Sequence, residues 1–260
     1  MNAKLFVIGI GPGDPELLTL KAVRIIKESP VLCVPKGREE GSSLALSIVQ
    51  KAVQLEGKEI IEAHFPMMKT RAQNTEHRTQ TKDQIPPLLK GGKGGLHDPE
   101  LNDKWNDIAE TIFNALKKGA DVAFLTLGDP AIYSTFFYLY DKLLELHPGL
   151  QIEIIPGVSS INASAARANI SLGLGNERIA VLPANYLDNL KTTLEMFDTV
   201  VLMKVNKVLD EIVKLLREMD LTGNAVCVSR AGMEDEKIDT DITKVKQEGL
   251  NYFSMVIVKK

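Results

Sequence analysis

Leu5 to Glu28 reads LFVIGIGPGDPELLTLKAVRIIKE, and its reading decides the fold. The apolar run Leu5-Phe6-Val7-Ile8 predicts a buried strand. It breaks into Gly9-Ile10-Gly11-Pro12-Gly13, a turn that strand geometry cannot continue. Asp14 stands where a helix N-cap belongs, with Pro15 at the first helical position. Leu18, Ala22, Ile25 and Ile26 then recur at helical spacing and supply a core face. Strand, glycine turn and helix together make the first half of a βαβ unit, so the chain is α/β. The turn does not fit the phosphate-binding patterns. The glycines fall at 9, 11 and 13, Asp14 follows, and no P-loop lysine is present. A carboxylate at this helix start competes with phosphate for the same positive end. The loop therefore suits a ligand without phosphates, a contact made through backbone alone, or simply a strand-to-helix turn.

Outward from that stretch the same unit recurs. Val31 to Pro35 and Lys58 to Phe65 predict two further strands, with a helix between them capped by Ser42 or Ser43. Asn74 to Asp103 is polar, carries Pro86-Pro87 and a doubled Lys-Gly-Gly, and reads as a flexible insertion on the rim. Trp105 to Lys118 predicts an amphipathic helix ending at Gly119. Val122 to Leu127 is a continuous apolar run, as in a parallel sheet covered on both faces. It leads into Gly128-Asp129-Pro130 and a helix expected from Ala131 through Leu146. Ile152 to Ile155 ends at Pro156-Gly157, with Ser159 or Ser160 capping the next helix. Three strand ends thus carry small residues, and ligands of open parallel sheets sit beyond the carboxyl ends of the strands.

After Gly157 the pattern changes. Ile179–Leu182, Thr199–Met203, Ala225–Ser229, Thr240–Ile242 and Phe253–Val258 predict strands, with one helix over Val208–Met219. The last strand runs to the C-terminus without a crossover helix, which predicts antiparallel pairing and a mixed sheet. Two α/β domains, 1–156 and 157–260, fit this better than one.

The 260 residues suffice for two modest cores, and a net charge of −3 gives no case for nucleic acid or bilayer. No segment approaches the roughly 18 apolar residues of a membrane span. A strand begins almost at Lys4, which argues against a secretory signal. Cys33 and Cys227 lie in apolar runs and read as small buried residues of a reducing, cytosolic compartment. No Cys/His cluster has metal-ligand spacing, so no protein-bound metal is expected. His64 reads as a core histidine at a strand end.

Five segments together resemble the tetrapyrrole methylases, a family of S-adenosylmethionine-dependent enzymes. They are Gly9–Leu20 (GIGPGDPELLTL), Leu127–Thr135 (LGDPAIYST), Pro156–Ser160 (PGVSS), Leu202–Lys204 (LMK) and Ser229–Gly232 (SRAG). Glu40–Val49, His64–Met67 and Ala180–Ala184 are most similar to members that methylate precorrin-2, or its cobalt complex, at C-20 in corrin biosynthesis. The resemblance implies a homodimer, and S-adenosylmethionine folded in a cleft between two α/β domains. It places cofactor contacts at Pro12, Gly128, Asp129, Pro130, Ile132, Ser159, Ser160, Met203, Arg230 and Ala231, with Tyr133, Ser134 and Thr135 beside them. It puts the first glycine loop, including Gly11, nearer the tetrapyrrole.

Each assignment has a plainer alternative. Asp14 is the base that accepts the displaced proton, or it only caps a helix; Asp129, Ser159 and Ser160 are open to the same question. Met203 flanks adenine or fills core. A carboxylate-rich substrate calls for cations on the rim, and Lys36, Arg38, Arg71, Arg167 and Lys204 are the candidates, each otherwise a solvated charge. The competing enzyme readings are another tetrapyrrole methylation, such as that of uroporphyrinogen, and diphthine synthesis. A non-catalytic nucleotide-binding module is the competing reading of a different class.

Overall fold

The computed structural model describes residues 3–36, 43–64, 99–184 and 189–260, with the side chains of 99–102 left aside. Arg38, Arg71 and the insertion over 74–98 lie outside the described residues. The chain divides into two compact units. One comprises Met1–Ile10 and Leu18–Gly157; the other comprises Gly11–Leu17 and Val158–Lys260. The glycine-rich loop after the first strand thus belongs to the second unit.

In the first unit the elements run β1 (Leu5–Gly9), α1 (Leu20–Glu28), β2 (Val31–Lys36), α2 (Leu44–Gln50), β3 (Glu59–His64), α3 (Pro99–Lys117), β4 (Val122–Thr126), α4 (Phe136–Leu146) and β5 (Ile152–Ile155). The strands form one sheet in the order β3-β2-β4-β1-β5, parallel throughout. Successive residues point to opposite faces, so both faces need covering. Leu5, Val7, Cys33, Val122 and Phe124 pack against Trp105, Ile112 and Leu116 of α3 and Phe136 and Leu139 of α4. Ile8, Leu32, Val34, Ala123 and Leu125 pack on α1 and α2 through Ala22, Ile25, Ile48 and Val49. Phe124 and Phe136 are fully buried with ring centroids 5.3 Å apart. Each such side chain contributes about 1.5–3 kcal/mol by leaving water.

The second unit comprises α5 (Ser160–Arg167), β6 (Ile179–Pro183), α6 (Leu190–Met196), β7 (Thr199–Met203), α7 (Leu209–Glu218), β8 (Ala225–Ser229), β9 (Lys237–Asp239) and β10 (Ser254–Lys259). Its sheet order is β6-β7-β10-β8-β9. Only β6 and β7 pair in parallel; the other pairings are antiparallel, which makes the sheet mixed. Val200, Leu202, Cys227, Val256 and Val258 pack on α6 and α7. Val201, Val226, Val228, Met255 and Ile257 pack on α5.

Several element boundaries depart from the sequence expectations. Asp14 and Pro15 do not open the first helix. They open a 3-10 turn over Pro15–Leu17, and Thr19 caps α1 by accepting from the Ala22 N–H at 3.1 Å. The helix expected from Ala131 begins only at Phe136, because Tyr133 sits in left-handed backbone (φ 53°) and interrupts it. Residues 99–103, expected in the insertion, are the first turn of α3, with Pro99 at its start. Thr240–Ile242 is not a strand: Asp241 caps a 3-10 turn over Ile242–Lys244, and the edge strand is the exposed β9. His64 ends β3 but is exposed, not core. Cys33 and Cys227 are free and buried. No helix among the described residues is long and apolar enough to cross a membrane.

Candidate functional site

The carboxyl ends of β4, β1 and β5 lie side by side in the first sheet, and the loops that leave them nearly touch. A methyl group built on Gly157 would stand 2.5 Å from the Gly128 carbonyl oxygen and 2.6 Å from the Gly9 carbonyl carbon. One built on Gly9 would meet the Gly128 oxygen and the Gly157 nitrogen at 2.7 Å and Pro130 Cδ at 2.8 Å. These neighbours are backbone or ring atoms with little freedom to retreat, so only glycine fits.

Asp129 fixes the arrangement. Its Oδ1 accepts from the Ala131 N–H at 2.8 Å and its Oδ2 from the Gly157 N–H at 3.0 Å. The loop therefore curls back toward β5 before α4 can start. Ser134 accepts from the Phe136 N–H and lies 3.3 Å from the Thr126 hydroxyl, which steadies the far side of the loop. Ile132 and Tyr133 between them are exposed, at 39% and 49%, although both are large and apolar or aromatic. Thr135 is exposed at the N-cap position of α4 and makes no side-chain cap bond.

In the second unit the loop Gly11–Leu17 interlocks with the turn after β8. A Cβ on Gly232 would meet the Asp14 nitrogen at 3.1 Å and Pro12 Cγ at 3.6 Å. A Cβ on Gly13 would meet Met233 Cγ at 2.4 Å and the Gly232 oxygen at 3.1 Å. Gly232 has φ +76° and Arg230 φ 54°, so this is a tight left-handed turn. Ala231 is buried within it, and Pro12 and Gly11 are buried opposite. Asp14 Oδ1 accepts from the Glu16 N–H at 2.9 Å, which leaves its Oδ2 without a hydrogen bond among the described residues.

The remaining predicted residues are placed as follows. Ser159 caps α5, accepting from the Asn162 N–H at 3.2 Å and donating to Asn162 Oδ1 at 2.7 Å; Ser160 is the first residue of that helix. Met203 ends β7 half-buried against the α5 face of the sheet. Lys204 follows in left-handed backbone (φ 62°), its ammonium 5.8 Å from the centroid of the Tyr252 ring. Lys36 donates to Glu62 at 2.6 Å. Arg167 donates through Nε to both oxygens of Glu236, at 2.7 and 3.0 Å. Arg230 pairs with Asp235, whose carboxyl is held below its usual range by that hydrogen bond. Every described cation on the candidate rim is thus already engaged by an anion or an aromatic ring.

Sequence reasoning missed Glu236. It lies in the charged run Glu234-Asp235-Glu236-Lys237, which looks like solvated surface, yet its side chain is only 11% exposed. Among the described residues, no group of three or more His, Cys, Asp or Glu stands close enough to hold a metal ion. A shallow depression lined by Gln50, Val53, Leu55 and Ile60 lies at the amino end of β3 and contains none of the predicted residues.

The chain is similar along its whole length to known proteins. It is 33% identical to the probable cobalt-precorrin-2 C(20)-methyltransferase of Methanocaldococcus jannaschii, covering 99% of this chain and 96% of that one. It is 31% identical to the cobalt-precorrin-2 C(20)-methyltransferase of Salmonella typhimurium, covering 100% and 98%. Among solved structures, the cobalamin-biosynthetic cobalt precorrin-4 methyltransferase superposes with a TM-score of 0.69 at 21% identity, covering 98% of this chain and 94% of that one. The uroporphyrin-III C-methyltransferase of Thermus thermophilus complexed with S-adenosylhomocysteine superposes with 0.63 at 20% identity, covering 99% and 98%. These two likenesses establish the fold. The sequence model of the tetrapyrrole (corrin/porphyrin) methylases matches residues 4–245, and the chain belongs to that family of methyltransferases.

Proposed function

We propose that this chain transfers a methyl group from S-adenosylmethionine to C-20 of precorrin-2, or of its cobalt complex, in corrin biosynthesis. The observation that carries the reading is the 33% and 31% identity, end to end, to two proteins named for that reaction on the cobalt form. A Sinorhizobium protein named for the metal-free form is 29% identical over 98% of the chain. Identity falls to 27% for a relative named for methylation at C-11, which favours C-20.

The residues fit a donor that carries no phosphate. Asp14 and Asp129 occupy the loops where a phosphate-binding fold would offer bare N–H groups, and Asp129 already takes up two of them. Gly128 to Thr135, with exposed Ile132 and Tyr133, together with Ser159, Ser160, Met203, Arg230 and Ala231, are assigned to hold the donor. Bound S-adenosylmethionine supplies an electrophilic methyl on a sulfonium. The chain's part is alignment, worth on the order of 7–11 kcal/mol when the reacting atoms are held near contact distance. A reduced tetrapyrrole is itself electron-rich, so the enzyme does not have to create a nucleophile. Once the new carbon–carbon bond forms, the proton on C-20 must leave. Asp14 Oδ2 is assigned to receive it, with Gly11 and Pro12 shaping the substrate side of the same loop. Lys36, Arg167 and Lys204 face the carboxylates of the macrocycle only if they leave the partners that hold them now. Arg38 and Arg71 remain assigned to the rim on the sequence alone.

The reading includes a homodimer, as the family resemblance implies, and a cytoplasmic chain without a protein-bound metal, as the two cysteines in apolar runs and the lack of metal-ligand spacing suggest. Light scattering on the purified chain tests the dimer. Calorimetry with S-adenosylhomocysteine and with NAD tests the donor class: binding of the first and not the second is expected. The reverse result would replace the reading with a nucleotide-binding module.

A further inference from the structure

Glu236 is the least exposed carboxylate in the ion pairs of the second unit, and it holds two elements at once. Its Oε1 and Oε2 accept from Arg167 Nε in the last turn of α5, at 2.7 and 3.0 Å. Its Oε2 also accepts from the backbone N–H of Gly232 at 2.7 Å. The turn it closes is stitched internally by Met233 N–H to Arg230 O at 2.9 Å and Glu236 N–H to Met233 O at 3.1 Å. That turn lies so close to the Pro12–Asp14 loop that a Cβ on Gly232 would stand 3.1 Å from the Asp14 nitrogen, and one on Gly13 would stand 2.4 Å from Met233 Cγ. A nearly buried carboxylate tied by charge-assisted bonds resists displacement more than a neutral contact does. Removing Glu236 leaves the part-buried Gly232 N–H without its acceptor, while the more exposed Arg167 turns to water.

We propose that Glu236 is a positioning residue. It latches the Arg230–Gly232 turn to α5, and through Gly232 it sets the Pro12–Asp14 loop. Arg167 thereby acts as the anchor of the latch and not as a contact to substrate. The inference rests on the function proposed above, since the latched segments are those assigned to donor and base. It gives them one shared support. The distance in sequence from Arg167 to Glu236 is 69 residues, so neither loop's own sequence reports it.

The test uses the full-length chain with Glu236→Ala, Glu236→Gln and Arg167→Met, and reads amide hydrogen exchange and the calorimetric Kd for S-adenosylhomocysteine. E236A is expected to speed exchange both in 230–236 and in 11–17 and to weaken binding about 10-fold. E236Q keeps one acceptor for the Gly232 N–H and is expected to restore most of both. R167M is expected to shift both in the same direction by a smaller factor, and it carries the test if E236A does not fold. Faster exchange confined to 230–236, an unchanged Kd in folded E236A, or a glutamine variant as impaired as alanine would overturn the proposal. Hydrogen exchange needs no ligand. A wild-type chain that fails to bind S-adenosylhomocysteine would therefore overturn the proposed function, while the exchange data would still decide whether the latch exists.

Discussion

Asp129 Oδ2 accepts a hydrogen bond from the backbone N–H of Gly157 at 3.0 Å, and so ties the end of β4 to the end of β5 across the end of β1. The two residues are 28 apart in sequence. Without the carboxylate, the Gly157 and Ala131 N–H groups both lose their acceptor. D129A is expected to lower unfolding free energy by about 1–3 kcal/mol. D129N, which retains one acceptor, should fall between it and the wild type. Urea denaturation of the three proteins reads the series.

The crowding at the same strand ends separates two kinds of glycine. Gly157→Ala drives a methyl into the Gly128 carbonyl and the Gly9 backbone, which have no low-cost way to move. A loss of about 1–3 kcal/mol or more is expected. Gly13→Ala meets first Met233 Cγ at 2.4 Å, a side-chain atom that can turn away by a change of rotamer, with the Gly232 oxygen next at 3.1 Å. G13A should therefore be the milder variant in thermal unfolding. Equal losses would show that the two contacts are alike after all.

Gly232 carries a different penalty. Its φ of +76° lies where an L side chain is strained, whatever the space around it. G232A should cost about 1–2 kcal/mol from the backbone alone, with the contact to Asp14 added. Because the turn bears on Pro12 and Asp14, the variant should also lose methyl-transfer rate beyond what its stability explains. Rate measured well below its melting temperature checks this.

Acid should weaken the turn at Asp241. Its carboxyl is pulled down to about 2, chiefly by hydrogen bonds from the Thr243 hydroxyl and from Lys244. A group depressed in the folded chain stabilises it above the unfolded pKa of about 3.9 and loses that effect as pH falls through the folded value. The stability difference between wild type and D241N should thus be constant above about pH 5 and shrink from about pH 4 toward 2. The group is exposed, so the difference is small, and it should shrink further in salt.

Both thiols should be inert in the folded chain. Burial pushes Cys33 up strongly, and burial together with the charge of Asp239 pushes Cys227 up to about 11. Iodoacetamide at pH 8 should leave both unmodified until denaturant is added, as mass spectrometry would show.

The layers of the fold were legible because burial writes itself into composition. Val122 to Leu127 reads as a doubly covered parallel strand, and Phe124 and Leu125 do point to opposite cores. The mixed second sheet was legible from a final strand with no crossover helix after it. The delayed start of α4 was not, because Tyr133 interrupts the helix in left-handed backbone, within a loop whose Asp129 accepts from a backbone N–H 28 residues on. Arg167 shows the same limit. Alone it looks like a rim cation awaiting an anionic substrate, whereas its anion, Glu236, is supplied by the chain. The loop at Gly9 to Asp14 could be read as departing from the phosphate-binding patterns, but how it is held in place is written far away, in Gly232 and Met233.

The most direct measurement of the central claim is carbon-13 NMR of the tetrapyrrole after incubation with the chain, methyl-labelled S-adenosylmethionine and either precorrin-2 or cobalt-precorrin-2. The account predicts one new labelled methyl, bonded to C-20. A methyl at another ring position, or no transfer to either form while S-adenosylmethionine binds, would contradict it.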